Sequence, residues 1–267
     1  MGPPHARELA VTSQFVVLEV SHQGQVATLT LERPPANVMS LEMTEEINGA
    51  LLGLRDAGDL KVLVIRGSGA VFSRGMDLTE HSRDRVTRLV QVFHRIFETI
   101  RLLNVVSVAA VNGAAAAGGF ALALGCNLVV AKRSAVFSLP EVRTGLFPPV
   151  PCVILPRAAP RRKAMEWILL GEEIAADELA SFGLVNRVFP DTEFEQGLQH
   201  MIDRLIANSG PVLQLARRAQ TESYYATYEE ALFKVENLYL RDLLALQDPH
   251  EGIQAALEGR EAQWRNA

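Results

Sequence analysis

Val105–Phe120, VVSVAAVNGAAAAGGF, is the stretch whose reading decides the fold. It sits inside a longer, almost wholly apolar run from Leu102 to Ala131, which has the length of a membrane span. Asn104, Asn112 and Asn127 interrupt that run, together with Gly113, Gly118, Gly119 and Gly125. An Asn-Gly pair at 112–113 marks a turn. The run therefore reads as a buried strand over Val105–Val111, a tight Gly/Ala loop over 113–119, a buried helix to about Gly125, and a strand at Leu128–Ala131. No membrane partner is expected.

The same alternation extends outwards. Upstream, Arg83–Leu103 carries Val86, Leu89, Val90, Phe93, Ile96, Phe97 and Ile100 at helical spacing. Val62–Arg66 is apolar enough for a strand buried on both faces, and Gly67–Leu78 follows it as a loop. Ser40 is a fitting cap for an amphipathic helix over Ser40–Arg55. Phe15–Val20 and Val26–Leu31 flank His22-Gln23-Gly24-Gln25 and read as a hairpin. Residues 1–14 are expected to be disordered. Strands alternating with helices place the chain in the α/β class. After Phe189 only helices are expected, over Asp191–Ala207, Pro211–Ser223, Thr227–Leu246 and Pro249–Glu258, so residues 191–267 form a helical region appended to a core over 15–190. No fixed-period repeat is visible in the sequence.

Composition narrows the function. At 267 residues, the chain can bury one sizeable core. A formal charge of −5 argues against nucleic acid as a partner. Two cysteines, Cys126 and Cys152, with no CxxC spacing, make a disulfide framework or a metal site unexpected. No charged segment followed by an apolar one opens the sequence, so a cytoplasmic protein is expected.

Three segments can carry chemistry. Val71–Leu78 (VFSRGMDL) follows a buried strand, and a glycine there lets backbone N–H groups approach a ligand; an ordinary strand-to-helix loop would look the same. In Val111–Phe120 small side chains clear space at a helix start whose N–H groups attract negative charge; close helix–strand packing uses the same residues. It is neither a GxGxxG nor a GK[ST] loop. In Phe137–Leu146 (FSLPEVRTGL), Glu141 sits among apolar residues, which raises a carboxyl pKa towards the range of a general base; pairing with Arg143 or Arg133 is the alternative. Taken together, two N–H groups from two loops and a carboxylate from a third suit stabilisation of a thioester enolate and movement of a proton beside it.

In these segments the chain resembles the crotonase (enoyl-CoA hydratase/isomerase) superfamily. The likeness runs from about Phe15 to Trp264, through Leu31–Asn37 (LERPPAN), Phe72–Leu78 (FSRGMDL), Ala109–Gly119 (AAVNGAAAAGG), Pro140–Leu146 (PEVRTGL) and Ser181–Val185 (SFGLV). It implies a spiral of ββα units with C-terminal helices that support a homotrimer or a hexamer made of two trimers. It also implies an acyl-CoA thioester substrate, with coenzyme A present only as part of that substrate, no tightly bound cofactor and no metal. Carried over by position, the backbone N–H groups of Met76 and Gly118 form the oxyanion hole and Glu141 is the catalytic carboxylate. Arg33, Phe72, Ser73, Arg74, Asp77, Leu78, Gly119 and Leu146 are the expected substrate and CoA contacts.

One position departs from the pattern. Hydratases of the superfamily carry a second glutamate where this chain has Ala121, and a methyl group cannot transfer a proton. Retention of Glu141 alone resembles the Δ3-Δ2-enoyl-CoA isomerases, so a double-bond shift is the expected reaction. Phe147-Pro148-Pro149-Val150 instead resembles a branch that hydrates cyclic dienoyl-CoA thioesters, and Gly252–Arg260 with Trp264 is hydratase-like. The alternatives are therefore hydration of a cyclic or branched enoyl-CoA and silent acyl-CoA binding. Asp77 and Glu80 are candidate second acids, though helix capping is the commoner use of such residues. His81 and His94 are expected on the solvent side of their helix. Tyr224, Tyr225, Tyr228 and Tyr239 are assigned to packing. The Arg157, Arg161, Arg162 and Lys163 cluster suits either a CoA phosphate or a solvated helix start.

Overall fold

The computed structural model describes residues 10–224 and 226–267. Strand β1 (Ala10–Thr12) pairs antiparallel with β2 (Val16–Ser21), so part of the expected disordered start is a sheet edge; residues 1–9 lie outside the described residues. β2 forms the expected hairpin with β3 (Val26–Leu31), in register from Val16↔Leu31 to Ser21↔Val26. Helix α1 (Leu41–Gly53) is capped by Ser40, whose hydroxyl accepts from the Met43 N–H at 3.2 Å.

Three turns of one motif follow. Each is a strand of the large sheet, a three-residue strand of a second sheet, and a helix. The first runs through β4 (Val62–Gly67), β5 (Val71–Ser73) and α2 (Val86–Leu103), and the second through β6 (Val106–Val111), β7 (Ala114–Ala116) and α3 (Gly118–Leu124). The third runs through β8 (Leu128–Lys132), β9 (Val136–Ser138) and α4 (Pro149–Ala158). This is the ββα spiral that the resemblance implies. The apolar run 102–131 is thus spread over two sheets, the end of α2 and the whole of α3, and no described helix is long and apolar enough to cross a membrane.

The chain continues through α5 (Arg161–Leu170), β10 (Glu173–Ala175), α6 (Ala176–Ser181) and β11 (Arg187–Phe189). The large sheet has the order β1-β2-β3-β4-β6-β8-β11, parallel from β3 onwards; the small one has the order β10-β9-β7-β5, with β5, β7 and β9 parallel.

Side-chain alternation splits the large sheet between two cores. Leu63 and Ile65 face the small sheet and α1–α3, where Phe72, Phe120 and Phe137 are fully buried. Val62, Val64, Val106 and Val108 face α7 (Phe194–Ile206), which covers them with Phe194, Leu198 and Ile202. Burial on both faces is why β4 and β6 read as unbroken apolar runs. The last helices are α8 (Gly210–Ser223), α9 (Tyr228–Asn237) and α10 (Asp248–Glu258). A π-helical turn at Leu238–Leu243 follows α9, inside the span read as one helix.

Candidate active site

The site begins with a buried asparagine. Asn37 is fully buried and adopts a left-handed backbone (φ 47°). Its amide donates to the carbonyls of Ser68 (3.0 Å) and Val71 (2.8 Å), and its oxygen accepts from the Arg33 N–H (3.0 Å). The Ser73 hydroxyl donates to the Asn37 carbonyl at 2.7 Å and accepts from the Gly75 N–H at 3.1 Å. Asn112 ties the next turn down in the same way, donating to the Gly67 and Gly69 carbonyls at 3.0 and 2.9 Å. Buried amides that reach several backbone groups fix loops that cannot pair as strands.

These ties leave two N–H groups over. Met39 and Met76 form a parallel bridge in which the Met39 N–H donates to the Gly75 carbonyl (2.7 Å) and the Asp77 N–H donates to the Met39 carbonyl (2.9 Å). A parallel pair of this kind turns the skipped residue's own N–H to the opposite side, so the Met76 N–H points away from Met39. Gly118 is the first residue of α3, where an N–H has no intrahelical partner. Just before it, Ala117 holds φ 50° and ψ −124°, a region costing a non-glycine residue about 1–3 kcal/mol. Its own N–H donates to the Ser138 carbonyl at 2.9 Å, which fastens it to β9.

The two loops are in contact. A Cβ added to Gly75 would lie 2.9 Å from the Gly118 nitrogen, and one added to Gly119 would lie 2.2 Å from the Ser73 carbonyl oxygen. The glycines at 75 and 119 are what let the loops close to this distance.

Glu141 comes from the third turn, in a short 3₁₀ segment (Pro140–Thr144) after β9. Its Oε2 is buried and has no hydrogen-bond partner among the described residues. Burial pushes its carboxyl above the ordinary range. Neither expected arginine pairs with it: Arg143 donates to the Leu170 carbonyl and Arg133 pairs with Asp177 at 3.6 Å. Met76, Gly118 and Glu141 all line one cavity of about 410 Å³, and each follows the carboxyl end of one of the parallel strands β5, β7 and β9 within three residues.

Of the other expected contacts, Arg74, Leu78 and Leu146 line this cavity. Arg33 pairs with Asp77 at 3.0 Å and lies over the Phe15 ring. Asp77 also caps Leu78–Glu80 by accepting from the Thr79 N–H, and Glu80 caps α1 by accepting from the Leu41 N–H. The side chains of Phe72 and Ser73 are fully buried, and Gly119 packs under Ser73. These residues shape the loops from behind. Lys163 is paired with Glu166 and Glu178. Tyr224 donates to the Arg157 carbonyl, and Tyr225 lies outside the described residues.

The two histidines are a correction. His81 and His94, expected on the solvent side, both line the cavity. Helical spacing carried the signal for His94, which follows the cavity-facing Val86 and Val90 by eight and four residues. Ala121 lines the same cavity, together with Val90, Phe93, Phe147, Pro148, Pro149 and Pro151.

Comparison with known proteins bears on the family and the fold. The family model described as enoyl-CoA hydratase/isomerase matches residues 21–267. Human enoyl-CoA hydratase domain-containing protein 3, named as mitochondrial, is 33% identical over 247 residues, covering 90% of this chain and 80% of that protein. The 2,3-dehydroadipyl-CoA hydratase of Escherichia coli (strain K12) is 33% identical over 251 residues, 91% of this chain and 96% of that protein. The crystal structure of human enoyl coenzyme A hydratase domain-containing protein 3 superposes with a TM-score of 0.88 at 31% identity, covering 94% of this chain and all of that one. Matched along nearly its whole length in sequence and in fold, the chain belongs to the enoyl-CoA hydratase/isomerase family.

Proposed function

We propose that the cavity binds an acyl-CoA thioester and moves its double bond from the Δ3 to the Δ2 position. The observation that carries this reading is the buried Glu141 Oε2, without a hydrogen-bond partner among the described residues, in a cavity that Met76 and Gly118 also line. The N–H groups hold the thioester oxygen as negative charge develops on it, the term that dominates many acyl-transfer and enolate reactions. Glu141 takes the C2 proton, and the C–H electron pair moves into the enolate. When the enolate collapses, C2=C3 forms and the electrons of the old C3=C4 bond take the proton back at C4. One carboxylate serves both transfers, which suits a site with Ala121 at the other position.

Arg74, Leu78 and Leu146 line the path of the thioester, and no resident cofactor or metal is needed. The exposed Phe233, Leu240 and Leu257 suit burial against further copies of the chain in a trimer or hexamer, which light scattering would count. Purified protein should convert a 3-enoyl-CoA to its 2-enoyl isomer, resolved by chromatography. Glu141→Gln should lose at least ~100-fold, the usual scale of general acid–base catalysis. Calorimetric binding of acyl-CoA without turnover of any thioester would replace this reading with a binding protein.

A further inference from the structure

We propose that His94 is the group that takes a proton from water when a 2-enoyl thioester is hydrated in this cavity, a part for which Ala121 offers no acid or base. The proposal rests on the acyl-CoA reading of the cavity and not on the double-bond shift.

The packing of α2 on α3 carries it. A Cβ at Gly118 would lie 3.4 Å from Phe93 Cζ, and one at Gly125 would lie 2.4 Å from Phe97 Cδ1. Ala121 is one turn from each of those glycines, so it faces the turn of α2 that runs from Phe93 to Phe97. His94 is in that turn and lines the same cavity as Ala121. The alanine methyl leaves open the space a longer side chain would fill.

Two further observations suit the ring to handling water. His94 is half-buried, and neither ring nitrogen has a hydrogen-bond partner among the described residues. The other cavity histidine is committed: a carbonyl can only accept, so His81 Nδ1 donates to the Asp77 carbonyl at 3.0 Å. His94 also lines a second cavity, of about 570 Å³, which shares Pro149 and Val150 with the first. Burial holds His94 below the ordinary histidine range, against the opposing pull of Glu98, which favours the neutral ring that can accept a proton. The other charged or titratable groups on these two cavities are Arg74, His81, Glu141, Arg101 and Arg217.

The step balances as follows. The water oxygen bonds to C3 as His94 takes one of its protons. The C2=C3 π electrons move into an enolate held by the Met76 and Gly118 N–H groups. Protonated Glu141, its carboxyl raised by burial, gives its proton to C2 as the enolate collapses. The product is a 3-hydroxyacyl-CoA, and one proton returns from His94 to Glu141 through solvent.

The test uses the full chain in ¹⁸O-labelled water, with a 2-enoyl-CoA for hydration and a 3-enoyl-CoA for isomerisation, both followed by chromatography and mass spectrometry. Wild type should take up one labelled oxygen. His94→Gln should cut hydration at least ~100-fold and lower the ratio of hydration to isomerisation at least ~10-fold, and its residual hydration should lose the acid limb of the wild-type pH profile. A ratio unchanged by His94→Gln, or no label uptake by wild type, overturns the proposal. Hydration that depends on His94 without any isomerisation upholds it while removing the double-bond reading, so the two fail separately.

Discussion

Gly75 and Gly118 stand so close that a single added carbon on Gly75 would sit 2.9 Å from the Gly118 nitrogen. Gly75 also holds φ 94°, a conformation that other residues avoid. Gly75→Ala should therefore part the two loops and misplace one N–H donor. We expect kcat to fall by ~10²–10³, the scale of losing one oxyanion donor, with a much smaller change in acyl-CoA affinity. Steady-state kinetics set beside calorimetric binding would show it, and an equal loss in both would place the effect on folding.

Asn37 is legible as a loop residue in the sequence, but its role is visible only in three dimensions. Asn37→Ala strands the Ser68 and Val71 carbonyls and the Arg33 N–H inside the protein. An unsatisfied buried polar group costs about 1–3 kcal/mol, so urea unfolding should show a loss of at least ~2 kcal/mol. Less than ~0.5 kcal/mol would mean that water replaces the amide.

The raised carboxyl of Glu141 has a sign that can be checked. A buried acid whose pKa is raised binds its proton more tightly in the folded protein than in the unfolded chain, so stability falls as pH rises from the ordinary carboxylate range through the folded value. Glu141→Gln should raise the melting temperature at pH 7–8 and lose that advantage towards pH 4. The double-bond shift needs the carboxylate, so its rate should drop on acidification with a midpoint above 4.5, the ordinary value. A melting temperature indifferent to pH in the comparison would argue that the carboxylate is well solvated.

Lys61 offers a test remote from the chemistry. It is buried, and its ammonium donates to the Ile206 and Asn208 carbonyls at 3.0 and 2.8 Å, tying the end of α7 to β4. Lys61→Met should cost about 1–3 kcal/mol by leaving those carbonyls unpaired, with isomerisation per folded molecule unaltered. Thermal unfolding read beside specific activity separates the two.

Strands β2, β3, β4, β6 and β8 of the large sheet and the four last helices were legible because each has the length and periodicity that burial imposes, whereas the three-residue edge strands β1 and β11 were not. β5, β7 and β9 were not. Three residues are too few to show an alternation, and in Ala114–Ala116 the side chains are all alike. Met76, Gly118 and Glu141 were reached through family motifs, and the structure brings all three to one cavity. His94 was misplaced because its polarity outweighed its spacing: it shares a helical face with Val86 and Val90, and that face lines a cavity in place of solvent.

The spiral has a consequence for how such a protein changes its chemistry. On the proposed reading, carbonyl docking is divided between the first and second turns, through Met76 and Gly118, and Glu141 belongs to the third. Because the two N–H donors are main-chain groups set by loop geometry, a side-chain exchange can retarget such a reaction while the same thioester stays gripped. Position 121, one turn of α3 after Gly118, is the place for such an edit: its side chain can change without moving the backbone that would hold the substrate.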